Sequence, residues 1–263
     1  MTKPLTPNLT SYDFLKCTAL LLMVVDHLGA FFYDDADWMR AVGRLSAPIW
    51  LFLIGYAQSR DFSARMWIGI ALLVLASFVM GLPMLPLHIL ATMLACRFLL
   101  DPVMEIVRRQ PSMLYPICFG FFILTLPTAA ILEYGSEVFL MVMLGYMTRH
   151  RETLGMSKSD FIQFALVATA SHAFYQTFVF FSFPTPMMLL VVFGLLAVTF
   201  LVLVRFRPYE YPTLTAKLPC PLVWLIQLGG RRTLEFYVLH LIVFKAVSAY
   251  TSGTLEPFKS VFW

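Results

Sequence analysis

The chain has 263 residues, of which 60% are hydrophobic and only 13% charged, with a mean hydropathy of +0.79. Soluble domains carry about 25% charged residues, so the composition excludes an ordinary soluble domain and implies an all-α, polytopic integral membrane helix bundle. The net charge of +4 comes without basic runs interleaved with aromatics, which argues against a nucleic-acid partner and leaves membrane lipids as the surroundings.

Apolar runs and their boundary residues predict about nine spans (eight to ten), in one domain covering residues 1–263. They fall at roughly 13–33, 41–57, 66–82, 86–100, 113–131, 136–147, 161–181, 186–204 and 232–250. Lys3 ahead of an apolar run looks like the start of a signal peptide. Asp26-His27 stands where small residues should mark cleavage, so the segment reads as a retained first span.

In that first span Lys16 and His27 are eleven positions apart, about three helical turns, and share one face. His27 then lies about 16 Å deeper along the axis. Ionisable groups at such depth are costly and mark function. A neutral imidazole accepts and returns a proton near neutral pH, which suits a general base in acyl transfer. The competing reading is a buried histidine bonded to a carbonyl. Asp26 is adjacent to His27, and adjacent helical residues do not face each other. Asp26 is therefore expected to meet another span, with Arg44 of Gly43-Arg44-Leu45-Ser46-Ala47-Pro48 as its mate, either in the site or as a structural ion pair.

The connecting loops alternate. Asp34, Asp35, Asp37 and Glu133 mark acidic ones; Arg60, Arg65, Arg108, Arg109, Arg149, Arg151, Lys158, Arg205, Arg207 and Lys217 mark basic ones. Positive loops stay cytoplasmic, which predicts an inside N-terminus, an outside C-terminus and Lys16 near the inner face. His88 reads as interfacial, His150 as solvated in a basic loop, and His172 as a mid-span packing residue or network member. Cys17, Cys96, Cys118 and Cys220 form no CxxC pair, so neither a disulfide frame nor a metal site is expected.

The apolar stretch 221–228 is too short to cross and reads as interfacial or re-entrant, opened by Pro219 and Pro221 and closed by Gly229-Gly230. In the last span Thr233, Tyr237 and His240 share a face. Arg231 and Arg232 are expected at the start of that helix, as a phosphate site or as a topology anchor. No GxSxG, Walker loop, HExxH or GxGxxG stands in a supporting context.

These residues resemble membrane acyltransferases of the acyltransferase-3 type, through Asp13, Lys16 and His27 early and Gly229-Gly230, Tyr237 and His240 late. Within that group the chain is most similar to the TraX family, the conjugative-pilin acetylases. The patches are Leu15-Lys16, Met23-Val24-Val25-Asp26-His27-Leu28-Gly29, and Gly43 to Pro48. The resemblance implies an enzyme of the bacterial inner membrane moving an acetyl group from cytosolic acetyl-CoA to an amine or hydroxyl. A pilin N-terminus, a glycan and a lipid headgroup are all compatible acceptors. It implies Lys16, Arg231 and Arg232 near the donor, His27 as base or acetyl carrier, with Asp26 and His240 in the same site, and Arg44 or Tyr237 at the oxyanion. Two other classes fit the buried charges: a transporter or flippase relaying protons through His, Asp and Arg, and a non-enzymatic pilus-assembly partner. No matched inverted halves are visible, which counts against a transporter.

Overall fold

The computed structural model describes residues 6–33, 35–181 and 183–251. Lys3, Asp34 and the C-terminal residues that bear on an outside C-terminus lie outside these. The described residues are helical throughout, with isolated β-bridges but no strand.

Helix α1 (Ser11–Phe32) starts at a capping box: the Asp13 amide donates to Thr10 Oγ1 at 3.1 Å, and the Thr10 amide donates to Asp13 Oδ2 at 3.0 Å. The expected span 41–57 is broken instead into α2 (Asp37–Gly43) and α3 (Ser46–Tyr56), with the chain turning at Arg44-Leu45. All but one residue of α3 is buried, so α3 is apolar all round and runs through the core. Helix α4 (Ala64–Met80) ends on Gly81, whose φ of 69° is the left-handed cap that glycine adopts freely. Helix α5 (Ile89–Arg109) is longer than the apolar run predicted, continuing through Asp101 and Pro102 to carry Glu105, Arg108 and Arg109. The expected span 113–131 holds α6 (Leu114–Ile123) and α7 (Thr125–Ala129), separated at Leu124.

Helices α8 (Phe139–His150), α9 (Lys158–Phe174) and α10 (Thr185–Ala197) follow; α9 and α10 each pass into a π-helical turn, Tyr175–Val179 and Val198–Leu203. Then come α11 (Pro212–Lys217), α12 (Cys220–Arg231) and α13 (Thr233–Thr251). The segment 221–228 is therefore part of a helix, and Gly229-Gly230 continue that helix rather than end it. Their missing side chains admit α1, because a Cβ on Gly230 would strike the Asp13 backbone.

Every expected span contains helix. Among the described residues, α1, the continuous stretch Thr185–Leu203 and α13 are long and apolar enough to cross a membrane. The remaining expected spans are shorter, broken or more highly charged. Helices α3 and α8 cross most closely: a side chain on Gly55 would enter the Val142 carbonyl, and one on Gly145 the Phe52 carbonyl. Small residues at such crossings are how helices pack where lipid supplies no hydrophobic drive. Phe52, Phe139, Phe161 and Phe164 fill the centre, while Phe98, Phe119, Phe193 and Leu239 point outward. This inside-and-outside apolarity is that of a bundle solvated by hydrocarbon. The chain is a helical membrane protein.

Candidate functional site

Helices α1 and α13 bring the two histidines together. His27 Nδ1 lies 2.7 Å from His240 Nε2, and the rings stack with centroids 5.0 Å apart. His240 Nδ1 lies 2.6 Å from the Phe236 carbonyl oxygen, one turn back on α13. A carbonyl only accepts, so His240 Nδ1 carries the proton. Neutral His240 then offers a lone pair at Nε2, and His27 Nδ1 donates to it. The wiring leaves His27 Nε2 as the bare, basic nitrogen. Tyr237 sits beside the pair, its ring centroid 6.2 Å from that of His27. The three-residue spacing of Tyr237 and His240 thus converges on His27 from the second helix.

Asp26 points away from His27, as helical geometry requires, and meets α2 and the turn after it. Its carboxylate holds two guanidiniums. Arg44 contacts it through Nε at 3.2 Å and more closely through Nη2, and Arg40 Nη1 lies 3.0 Å from Oδ2. Arg44 Nη1 donates to Tyr134 Oη at 3.0 Å, and the same guanidinium lies 4.5 Å above the Phe181 ring. The close seating depends on Gly43, where any Cβ would overlap Asp26. The Arg44 nitrogens are thus spent on Asp26 and Tyr134. This makes the group a brace for α1 at the level of His27, rather than a free donor for an oxyanion.

A cavity of about 140 Å³ opens between α1, α3, α4, α5 and α13, lined by Met23, Trp50, Met66, Met93, Thr233 and Tyr237 among others. Met23 is one turn before His27 on α1. Trp50 Nε1 is buried there without a hydrogen-bond partner among the described residues. Lys16 lies two turns before Met23 on the same α1 face, half-buried, within electrostatic reach of Arg97 on α5. Arg97 lies one turn beyond Met93; its Nη1 donates to the Asp61 carbonyl at 2.6 Å, while its Nε is buried and unpartnered among the described residues. Lys16 and Arg97 thus lie on helices that border the small apolar cavity, beyond its lining residues, and Tyr237 beside His27 lines it.

Other expectations are placed differently. Arg231 ends α12 and does not start the last helix; it donates to Asp13 Oδ1 at 3.1 Å and to the Asn8 carbonyl at 3.0 Å. That clamps α12 onto the first turn of α1 and takes the side chain away from any ligand. Arg232 precedes α13 and lies 3.4 Å from Glu235, which also pairs with Arg65. His88 is half-buried, 3.2 Å from Lys245 Nζ, which also donates to Ser77 Oγ at 2.8 Å. His150 ends α8 with its ring 4.4 Å from that of Tyr146, so it is packed rather than freely solvated. His172 is fully buried, 2.9 Å from Glu137. The four cysteines are free, and no group of three or more His, Cys, Asp or Glu is placed to hold a metal among the described residues.

Sequence reasoning passed over Arg40, Arg97, Tyr134, Glu137 and Lys245. Arg97, Glu137 and Lys245 carried a usable signal, since each is an ionisable residue inside an apolar run. Arg40 and Tyr134 looked like loop residues, and only the fold brings them to Asp26.

A family model described as TraX protein matches residues 11–248. The uncharacterized protein RP591 of Rickettsia prowazekii (strain Madrid E) is 25% identical over 151 residues, which is 56% of this chain. The chain spans 59% of that relative's length. No solved structure matches. The family match takes in α1 through most of α13, including the His27–His240 pair and the Asp26–Arg44 brace, and the chain belongs to the TraX family.

Proposed function

We propose that this chain is an inner-membrane acetyltransferase that moves an acetyl group from acetyl-CoA to an amine or hydroxyl, such as a pilin N-terminus. The observation that carries the reading is the relay from the Phe236 carbonyl through His240 to His27, which leaves His27 Nε2 as the bare nitrogen, next to Tyr237, a residue that lines the cavity. His27 takes the proton of the acceptor as its nitrogen or oxygen attacks the thioester carbonyl, and returns it to the departing sulfur. His240 steadies the imidazolium formed in between, in the manner of the third member of a catalytic triad. Tyr237, whose ring lies beside that of His27, supplies a hydroxyl for the oxyanion. Lys16 and Arg97 supply positive charge for the donor's phosphates, and by the positive-inside pattern they face the cytosol. The Asp26–Arg44 brace holds His27 in place without touching the reacting atoms.

The test is purified protein in proteoliposomes with labelled acetyl-CoA and a peptide amine. His27→Ala is expected to lower transfer roughly 10²- to 10⁴-fold, the usual contribution of a positioned acid-base group. Turnover near that of the unmodified chain would reject the assignment. Solute uptake that needs no acyl donor and is lost in the same variant would instead support a transporter.

A further inference from the structure

Away from the histidines, a basic cleft of about 1060 Å³ lies where the end of α3, the α8–α9 connection and the end of the second π turn meet. Arg149, Arg151, Lys158, Arg205 and Arg207 line it against one carboxylate, Glu152. Among the described residues none of the five cations takes part in an ion pair. Arg149 donates to the Tyr56 carbonyl at 2.8 Å and lies 5.4 Å over its ring, and Arg151 lies 4.8 Å over the Phe161 ring. Aromatic stacking of this kind orients the guanidiniums without neutralising them.

The cleft continues into a second cavity of about 680 Å³, with which it shares Arg205, Phe206 and Arg207. This one is an apolar groove between α1 and the π turn, lined by Leu15, Leu22, Ile49, Val198, Leu201 and Val202. Leu201 and Val202 are exposed on the outer surface of the bundle. The groove follows a face of α1 far from the reactive one: Leu22 and His27 differ by five residues, about 140° around the helix. It therefore does not lead to the histidine pair.

A cationic head site joined to an apolar, outward-open groove has the shape of an amphiphile with a negative head. We propose that the cleft and groove hold an anionic glycerophospholipid, with its phosphate at Arg205 and Arg207 and an acyl chain along the groove between α1 and the π turn. Basic pockets between membrane helices at the positive-inside end are suited to such headgroups. The adenosine phosphates of acetyl-CoA share the phosphate chemistry but have no apolar chain to fill the groove.

The full chain in detergent is titrated with dioleoyl phosphatidylglycerol or dioleoyl phosphatidylcholine. Bound lipid is counted by native mass spectrometry, and unfolding is followed by heat. The expected result is one retained phosphatidylglycerol and a raised Tm, with no matching effect of phosphatidylcholine. Arg205→Gln/Arg207→Gln is expected to weaken retention roughly tenfold. Leu201→Trp, a surface change that fills the groove, is expected to weaken it with the fold intact; this variant decides the matter if the double one does not fold. Equal retention of both lipids, or unchanged retention in Leu201→Trp, overturns the proposal. So does 3′,5′-ADP binding that the arginine variant abolishes while lipid retention stays the same.

Discussion

At the scale of single residues, the site rests on which nitrogen of His27 carries a proton. His240→Ala removes the acceptor that fixes this, so turnover is expected to fall roughly 10²-fold while KM for acetyl-CoA stays unchanged, as for an interaction made only in the transition state. Steady-state kinetics in proteoliposomes check the split. The Asp26 brace makes a separate prediction. Asp26→Asn leaves Arg40 and Arg44 without their counter-charge, and breaking a buried pair from one side costs about 3–5 kcal/mol. Adding Arg44→Gln to Asp26→Asn is expected to recover part of that loss, measured as a double-mutant cycle on thermal unfolding in detergent. The Asp26–Arg44 contact was legible in the sequence, because two lone ionisable residues in consecutive apolar runs need each other and adjacent residues on a helix do not meet. Arg40 was not legible. It looked like one more charge in an acidic loop until α2 folded back along α1 and carried it to Asp26. Arg97 stood inside the predicted run 86–100 and carried the same signal as Lys245 and Glu137, an ionisable residue in an apolar span.

At the scale of elements, helix existence followed from the apolar runs, and helix ends did not. The 41–57 run breaks at Arg44-Leu45 because Pro48 has no N–H to give the Arg44 carbonyl four residues back, and its ring crowds that carbonyl. Gly229-Gly230 have the composition of a stop, yet they are kept helical by the approach of α1, which needs their bare backbone. A sequence shows that a glycine is permissive but not whether a turn or a neighbour uses it. The crossing of α3 and α8 depends on the same property. Gly145→Leu places a side chain against the Phe52 carbonyl, and the yield of folded protein on size-exclusion chromatography is expected to collapse. Gly155→Ala, at a loop glycine with no neighbour within reach but a φ of 63°, is expected to lower Tm only modestly.

At the scale of the whole molecule, class was the most readable feature, because composition alone required a membrane bundle. Cys220, exposed at the start of α12, is a native probe for the side on which it lies. A membrane-impermeant maleimide is expected to label it in inverted vesicles and not in right-side-out cells, while buried Cys96 and Cys118 stay unlabelled until the protein is denatured. Labelling from the outside would invert the topology and put the proposed donor entrance on the wrong face. The number of crossings was not legible, because a helix inside a bundle can be apolar without being long.

The Phe236 oxygen belongs to the main chain, so alanine scanning of α13 leaves it in place whatever side chain is removed at that position. The atom that decides which edge of His27 is reactive is thus invisible to side-chain truncation. An alanine library could map every side-chain contact of the two rings and still miss what orients them. Only a change to the backbone itself, such as a proline that bends this turn of α13, would move it.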